Sequence, residues 1–181
     1  MTRPGVRTAL AVAVIALAVV VAVLLTRPAP TAPQSVSVDP HAWSLPRLNS
    51  PGQLTLASFA GRPLVLDFFA SWCDTCETEL PEFAAVAHRL NGKVAFAGVD
   101  SEETGDGVAM ARRTGIAVWP LARDVAGRQL SGLRDALEAT PGMPVTAFYD
   151  SHGRLLHVQL GAMSGDALRA EIAQLYHLAV S

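Results

Sequence analysis

Residues 64–76, Leu-Val-Leu-Asp-Phe-Phe-Ala-Ser-Trp-Cys-Asp-Thr-Cys, constrain this chain more than any other stretch. The first seven are apolar except for Asp67. A continuous apolar run of that length is a strand covered on both faces, the mark of a parallel or mixed sheet. Cys73 and Cys76 follow it and are the only cysteines in 181 residues. Beyond them Leu80, Phe83, Ala87 and Leu90 recur at spacings of three and four, one apolar face of a helix. The cysteines therefore stand where a strand hands over to a helix. A helix N-terminus presents unpaired N–H groups and the positive end of its dipole, so a thiol there ionises more readily than a free one. Cys73 is the candidate nucleophile, and Cys76, one helical turn on, can close a disulfide with it.

Hydrophobic residues make up 50% of the chain and charged residues 17%, so an apolar segment has to be separated out. Residues 9–25 contain no polar side chain, and Thr8 and Thr26 extend the uncharged span. At about 1.5 Å per residue, this nearly matches a hydrocarbon core of about 30 Å. A cleaved signal peptide is the competing reading, but its apolar region is usually shorter and ends on a small-residue site. Here Pro28, Pro30 and Pro33 crowd every cut. The expected organisation is a cytoplasmic tail at 1–7, a transmembrane anchor at 8–26, a Pro/Ala-rich linker at 27–41 and one domain at 42–181. Arg3 and Arg7 before the span, against Arg27 after it, put the N-terminus inside and the domain outside the membrane.

Arg3, Arg7 and Arg27 precede the domain, which leaves 11 of the 14 basic residues against all 16 acidic ones, a formal charge of about −5. That balance makes nucleic acid a poor partner. About 150 residues is the usual size of a single domain with one core. Two cysteines are too few to staple a scaffold, so in an oxidising compartment the pair has another task.

The turn signal Asn49-Ser50-Pro51-Gly52 predicts an N-terminal hairpin from 42–48 and 53–56. One helical turn is expected at 58–61. Pro81 interrupts the helical pattern after Cys76, Asn91-Gly92 ends it, and 94–99 reads as a second buried strand. Residues 100–103 then open a polar loop, 108–114 are helical, 118–121 extended and 128–139 helical. A final hairpin spans 145–149 and 154–160, and Ser164 caps a last helix whose face is Leu168, Ile172, Leu175 and Leu178.

Taken together, residues 68–76, Glu79-Leu80-Pro81 and residues 142–150, Gly-Met-Pro-Val-Thr-Ala-Phe-Tyr-Asp, resemble the thioredoxin-like proteins of the TlpA, ResA and CcmG kind, which are membrane-anchored or secreted. The likeness runs over about 42–178, with 99–121 resembling the family's central insertion. It implies an α/β thioredoxin fold, a central mixed β-sheet flanked by helices, and thiol-disulfide exchange with no cofactor beyond a Cys73–Cys76 disulfide. It also implies a cis Met143-Pro144 bond facing the cysteines, with Met143 offering backbone groups to a substrate and Trp72 beside the disulfide. The partners implied are extracytoplasmic protein thiols or disulfides and a membrane electron donor. Apocytochrome c cysteines are the clients of the most similar branches.

In such exchange the Cys73 thiolate attacks a disulfide and Cys76 resolves the mixed disulfide. Asp67, Asp74, Glu77 and Glu79 lie close to the pair, and no Lys, Arg or His occurs between Pro63 and His88. Negative charge destabilises a thiolate and hence the reduced form, so the expected direction is reduction. Asp67 matches the buried aspartate of thioredoxins proper and Glu79 the acid of the ResA branch; either can relay the proton of Cys76. Trp43 and Trp119 read as core. His41, His88, His152, His157 and His177 are scattered, and one Cys-x-x-Cys supplies only two of the four ligands a zinc site needs. Three alternatives remain: a disulfide-forming oxidase of secreted proteins, which runs the same steps backwards, an inert tethered module, and a peroxidase of the peroxiredoxin kind, which places threonine where this chain has Ala70.

Overall fold

The computed structural model describes residues 38–125, 127, 132–137 and 142–179. The expected tail, the anchor and residues 27–37 of the linker lie outside them. Among the described residues no helix is long and apolar enough to cross a membrane.

The strand expected before the cysteines is β3, Leu64–Phe69, and all six of its residues are buried. Its neighbours explain why. It pairs in parallel with β4, Ala95–Ser101, and antiparallel with β6, Val145–Tyr149. With β5, Leu121–Asp124, and β7, Leu155–Leu160, these form a five-stranded mixed sheet in the order β5-β4-β3-β6-β7. Alternation along β3 sorts its side chains between two cores. Leu64, Leu66 and Phe68 pack with Trp43, Leu45, Leu54 and Phe59 around the N-terminal hairpin, β1 (Ser44–Pro46) with β2 (Gln53–Thr55). Val65 packs on the opposite face with Phe83 and Val86 of α1, Asp74–Leu90, and with Leu168 and Ile172 of the C-terminal helix, Gly165–Tyr176. Phe69, on the same face as Val65, joins Cys73, Cys76, Leu80 and Met110 in a third cluster at the disulfide end.

Helix α1 carries Pro81 within it and ends on Asn91, whose left-handed backbone closes the helix. Ser164 caps the last helix by accepting the N–H of Ala167 at 3.2 Å. The turn expected at 58–61 is a 3-10 turn at Leu56–Phe59.

Four expectations need correcting. Asp100 and Ser101, read as loop, are the buried end of β4, because β5 extends alongside them in the register Asp100 to Arg123 and Ser101 to Asp124. The extended piece expected at 118–121 is instead a 3-10 turn, Ile116–Val118, followed by β5. Pro120 cannot donate to a ladder, so the strand begins after it while its carbonyl accepts from Gly98 at 3.1 Å. Of the helix expected at 128–139 the described part is the short α3, Leu133–Ala136, α2 being Gly107–Arg113 and the C-terminal helix α4. Trp119 is only half-buried and lies against Phe96 with ring centroids 5.3 Å apart, whereas Trp43 is core.

Candidate active site

Cys73 is the N-cap of α1, extended in backbone, and its Sγ accepts the N–H of Cys76 at 3.1 Å. The two cysteines are joined by a disulfide, S–S 1.97 Å and Cα–Cα 5.3 Å. Cys73 is 5% exposed and Cys76 fully buried, which makes Cys73 the atom an incoming disulfide meets first. Trp72 is 45% exposed and its indole N–H donates to the Glu102 carbonyl at 2.9 Å. Met143 packs against the cluster that holds both cysteines, and the Met143-Pro144 bond is cis. Met143 thus lies at the cysteine cluster, while Trp72 adjoins Cys73 along the chain and is tied to Glu102.

Asp67 sits on β3 between Val65 and Phe69, on the face that α1 covers, and is fully buried. Its register partner on β6 is Thr146, whose hydroxyl donates to Asp67 Oδ2 at 2.9 Å. This gives the threonine of the Gly-x-Pro-x-Thr motif its function. Asp67 Oδ1 has no partner among the described residues. Burial, then the nearby Glu79 carboxylate, push Asp67 well above the usual carboxylate range, against the pull of Thr146. Glu79, one turn beyond Cys76, is also buried, and its Oε1 accepts the backbone N–H of Met163 at 2.6 Å. Burial raises it to about 7, Met163 pulling down and Glu82 adding repulsion. Two buried carboxyls on the face that α1 covers are thus both raised above the ordinary carboxylate range, Glu79 to about 7, where it can carry a proton near neutral pH.

Of the other acids, Asp74 and Glu77 are exposed in the first turn of α1, where negative charge suits the helix end. Glu77 is paired with Arg113 at 2.9 Å. The acid-rich setting is therefore less negative than the residue count suggests.

A second network, absent from the sequence reading, lies on the insertion side. Glu103 accepts from Ser71 N at 2.8 Å and Thr104 N at 2.7 Å, and from the Ser71 hydroxyl and Gly105 N. Although burial works the other way, these bonds hold Glu103 down to about 2 and fasten the 102–106 loop beneath Ser71 and Trp72. Asp100 adjoins it, fully buried, with neither carboxyl oxygen partnered among the described residues. Burial and the neighbouring Glu103 raise it to about 8, opposed by Arg123 with its Nε 3.9 Å away. Gly107 packs so closely that a Cβ there would stand 2.6 Å from the Asp100 carboxyl. On the next strand Asp124 accepts from Ser101 at 3.3 Å and from Arg134 N at 3.2 Å. No local pattern marks these residues, because their partners are distant in sequence.

Among the described residues no group of three His, Cys, Asp or Glu is arranged to hold a metal. A cavity of about 440 Å³ between Trp43, Leu56 and Phe59 contains neither cysteine and is not the reaction site.

Fold and site together define a class: a thioredoxin-like α/β domain with a Cys-x-x-Cys disulfide capping a helix, the arrangement of a thiol-disulfide oxidoreductase. Residues 40–158 match the model of the AhpC/TSA family, and the chain belongs to that family. It is 34% identical over 98 residues to a thiol:disulfide interchange protein TxlA homolog of Synechocystis, covering 54% of this chain and 49% of that protein. The curated relatives it matches are named protein disulfide isomerase-like, thioredoxin and thiol:disulfide interchange proteins, which are oxidoreductases; the chain spans 58% or less of the length of each. Among solved structures, that of MTB dsbF in mixed oxidized and reduced forms is 29% identical with a TM-score of 0.59, covering 76% of this chain and 98% of that one. A secreted Mycobacterium tuberculosis disulfide oxidoreductase homologous to E. coli DsbE has a TM-score of 0.60 at 24% identity, covering 75% and 98%, and shares the fold.

Proposed function

We propose that this protein is a membrane-anchored thiol-disulfide reductase acting outside the cytoplasm, with haem-attachment cysteines of apocytochrome c as a client class. The observation that carries the chemistry is the disposition of the pair: Cys73 at the helix N-cap, Cys76 buried behind it, and two raised carboxyls on the covered face. The Cys73 thiolate attacks one sulfur of a substrate disulfide. A Cys73–substrate bond forms, the substrate bond breaks, and the other substrate sulfur leaves as thiolate. Cys76 gives its proton to Glu79 or Asp67 and attacks Cys73 Sγ, which closes the Cys73–Cys76 disulfide and frees the second substrate thiolate. Two electrons have passed to the substrate, and a membrane electron donor returns the pair to the dithiol. A substrate polypeptide lies along the Met143 backbone, beneath Trp72.

The anchor at 8–26 and the outward-facing domain are supported by the uncharged span and the arginine bias. Reduction is supported by the acids around the pair, Asp67, Asp74, Glu77 and Glu79, with no Lys, Arg or His between Pro63 and His88. An oxidase would use the same steps in reverse. Cys76→Ser in cells tests the reading, because it leaves substrates trapped on Cys73. Recovery of apocytochromes is the expected result; a broad set of unrelated secreted proteins points to an oxidase, and no trapped protein to an inert module.

A peroxidase is the second reading, favoured by the AhpC/TSA match. Ala70 stands where the peroxidases of this kind place a threonine, so hydrogen peroxide consumption by the reduced protein is expected to be no faster than by a free dithiol.

A further inference from the structure

We propose that Arg134 is a positioning residue of the disulfide site, tying the loop before cis-Pro144 to the loop that holds the Trp72 indole and so fixing the slot a substrate polypeptide enters. The Arg134 side chain is wholly buried. One guanidinium nitrogen donates to the Gly142 carbonyl at 2.7 Å, and the other to the Glu102 carboxylate. Asp135 adds a weaker contact at 3.5 Å.

Each end of this bridge is one residue from the substrate face. Gly142 precedes Met143 and has φ +143°, a conformation that side-chain-bearing residues rarely adopt, so its carbonyl is directed by glycine and held by Arg134. Glu102 has a left-handed backbone, φ +55°, and its carbonyl receives the Trp72 indole N–H. A non-glycine residue keeps that conformation only where surrounding bonds over-determine it, and here both its carbonyl and its carboxylate are engaged. Arg134 is itself set from behind, its backbone N–H on Asp124, whose other neighbours include Gly132, where a Cβ would stand 2.3 Å from the carboxyl. Only a planar fork reaches both loops at once, and a lysine ammonium on a flexible stem does not reproduce it.

The inference rests on the proposed laying of a polypeptide along Met143, and the test separates the two. With a small dithiol in excess to return the Cys73–Cys76 disulfide to the dithiol after each turnover, the full chain reduces a short peptide disulfide, and KM and kcat are compared for the unsubstituted protein, Arg134→Lys, Arg134→Met and Glu102→Ala. Losing a charge-assisted hydrogen bond on either side is expected to raise KM about tenfold in both Arg134 variants, with kcat changed less than about threefold. Glu102→Ala, at a partly exposed side chain, is expected to raise KM by about threefold and to add nothing on top of Arg134→Met. It also keeps the proposal testable if Arg134→Met does not fold. Unchanged KM in Arg134→Lys and Glu102→Ala, full rescue by lysine, or additive effects of the two sites would overturn the proposal. A peptide N-methylated beside its cysteine tests the docking alone. If methylation leaves the KM of the unsubstituted protein unchanged, the docking is wrong; if it raises KM while Arg134→Lys does not, only the bridge is wrong.

Discussion

On the α1 side of the disulfide, Asp67 and Glu79 are buried with no cation paired to them among the described residues, and burial raises both, Glu79 to about 7. On the insertion side, Glu102 meets Arg134, and Glu103 is caged by hydroxyl and amide donors that keep it ionised down to about pH 2. One residue type thus serves in two ways within one site. A buried carboxyl with a single donor exchanges a proton, whereas a carboxylate given a fan of donors fastens loops together. Asp100 shows that the two modes touch: the same Glu103 charge that is locked by its donors helps keep Asp100 protonated.

The largest expected effect lies on the proton-carrying side. Resolution needs Cys76 to lose a proton, so its rate should rise with pH through about 7 as Glu79 ionises. Glu79→Gln together with Asp67→Asn should slow resolution by about 10²-fold and leave the mixed disulfide accumulated, seen by acid quench and mass spectrometry. Glu79→Gln alone should remove the inflection near 7. Asp67→Asn should leave the domain more stable at pH 8 than the parent, since a raised carboxyl costs stability increasingly as pH climbs above its unfolded value. A flat pH profile in the unsubstituted protein would break the distinction between the two sides.

The insertion side should answer in stability, with opposite pH signs at its two members. Glu103 has a folded pKa of about 2, below its unfolded value of 4.5. Its contribution is therefore present above about pH 4.5 and lost as pH falls toward 2. With its partial exposure discounted, Glu103→Gln should cost about 1–2 kcal/mol at pH 7 and lower Tm by about 3–6 °C, with little cost at pH 2. Asp100 has a folded pKa of about 8, above its unfolded 3.8, so it weakens the fold progressively between those values. Asp100→Asn should raise Tm by a few degrees at pH 8 and leave it nearly unchanged at pH 3.5, on the order of 1–2 kcal/mol. Calorimetry across that range checks both signs.

This contrast also marks where sequence reading succeeded. The apolar run of β3 and the Cys-x-x-Cys at the start of a periodic helix are local patterns, and the structure places both as expected. Asp67 announced itself as the one charge in a buried strand. Glu79 is marked by the acids around the cysteines and by resemblance, but its burial is not legible, because helical periodicity leaves it beside the core face rather than on it. Asp100 and Ser101 read as loop because they run into the acids Glu102 and Glu103, which do form one. Burial of Asp100 depends on β5 arriving alongside and on Gly107 packing against its carboxyl, neither of which is local. Arg134 carried no local mark, since its two acceptors lie 32 residues before it and 8 after.

The smallest effect sharpens the comparison most, because it concerns a charge on the α1 side that is neither buried nor proton-carrying. Glu77, in the first turn of α1, is paired with Arg113 of α2, and both side chains are about half exposed. Arg113→Ala leaves the Glu77 charge uncompensated beside the helix end that stabilises the Cys73 thiolate. Thiolate stability should fall, and with it the stability of the dithiol, so the reduction potential should move to more negative values. An exposed pair contributes about 0.2–1 kcal/mol, and 30 mV corresponds to about 1.4 kcal/mol for a two-electron couple, so the shift should be about 5–20 mV. It should also shrink in 1 M salt, where the Debye length is about 3 Å. Equilibration against glutathione at low and high salt measures both. A larger or salt-insensitive shift would mean that Arg113 acts through packing of α2 on Cys76 and not through charge, and would leave Asp67 and Glu79 as the only acids on that side that set the chemistry.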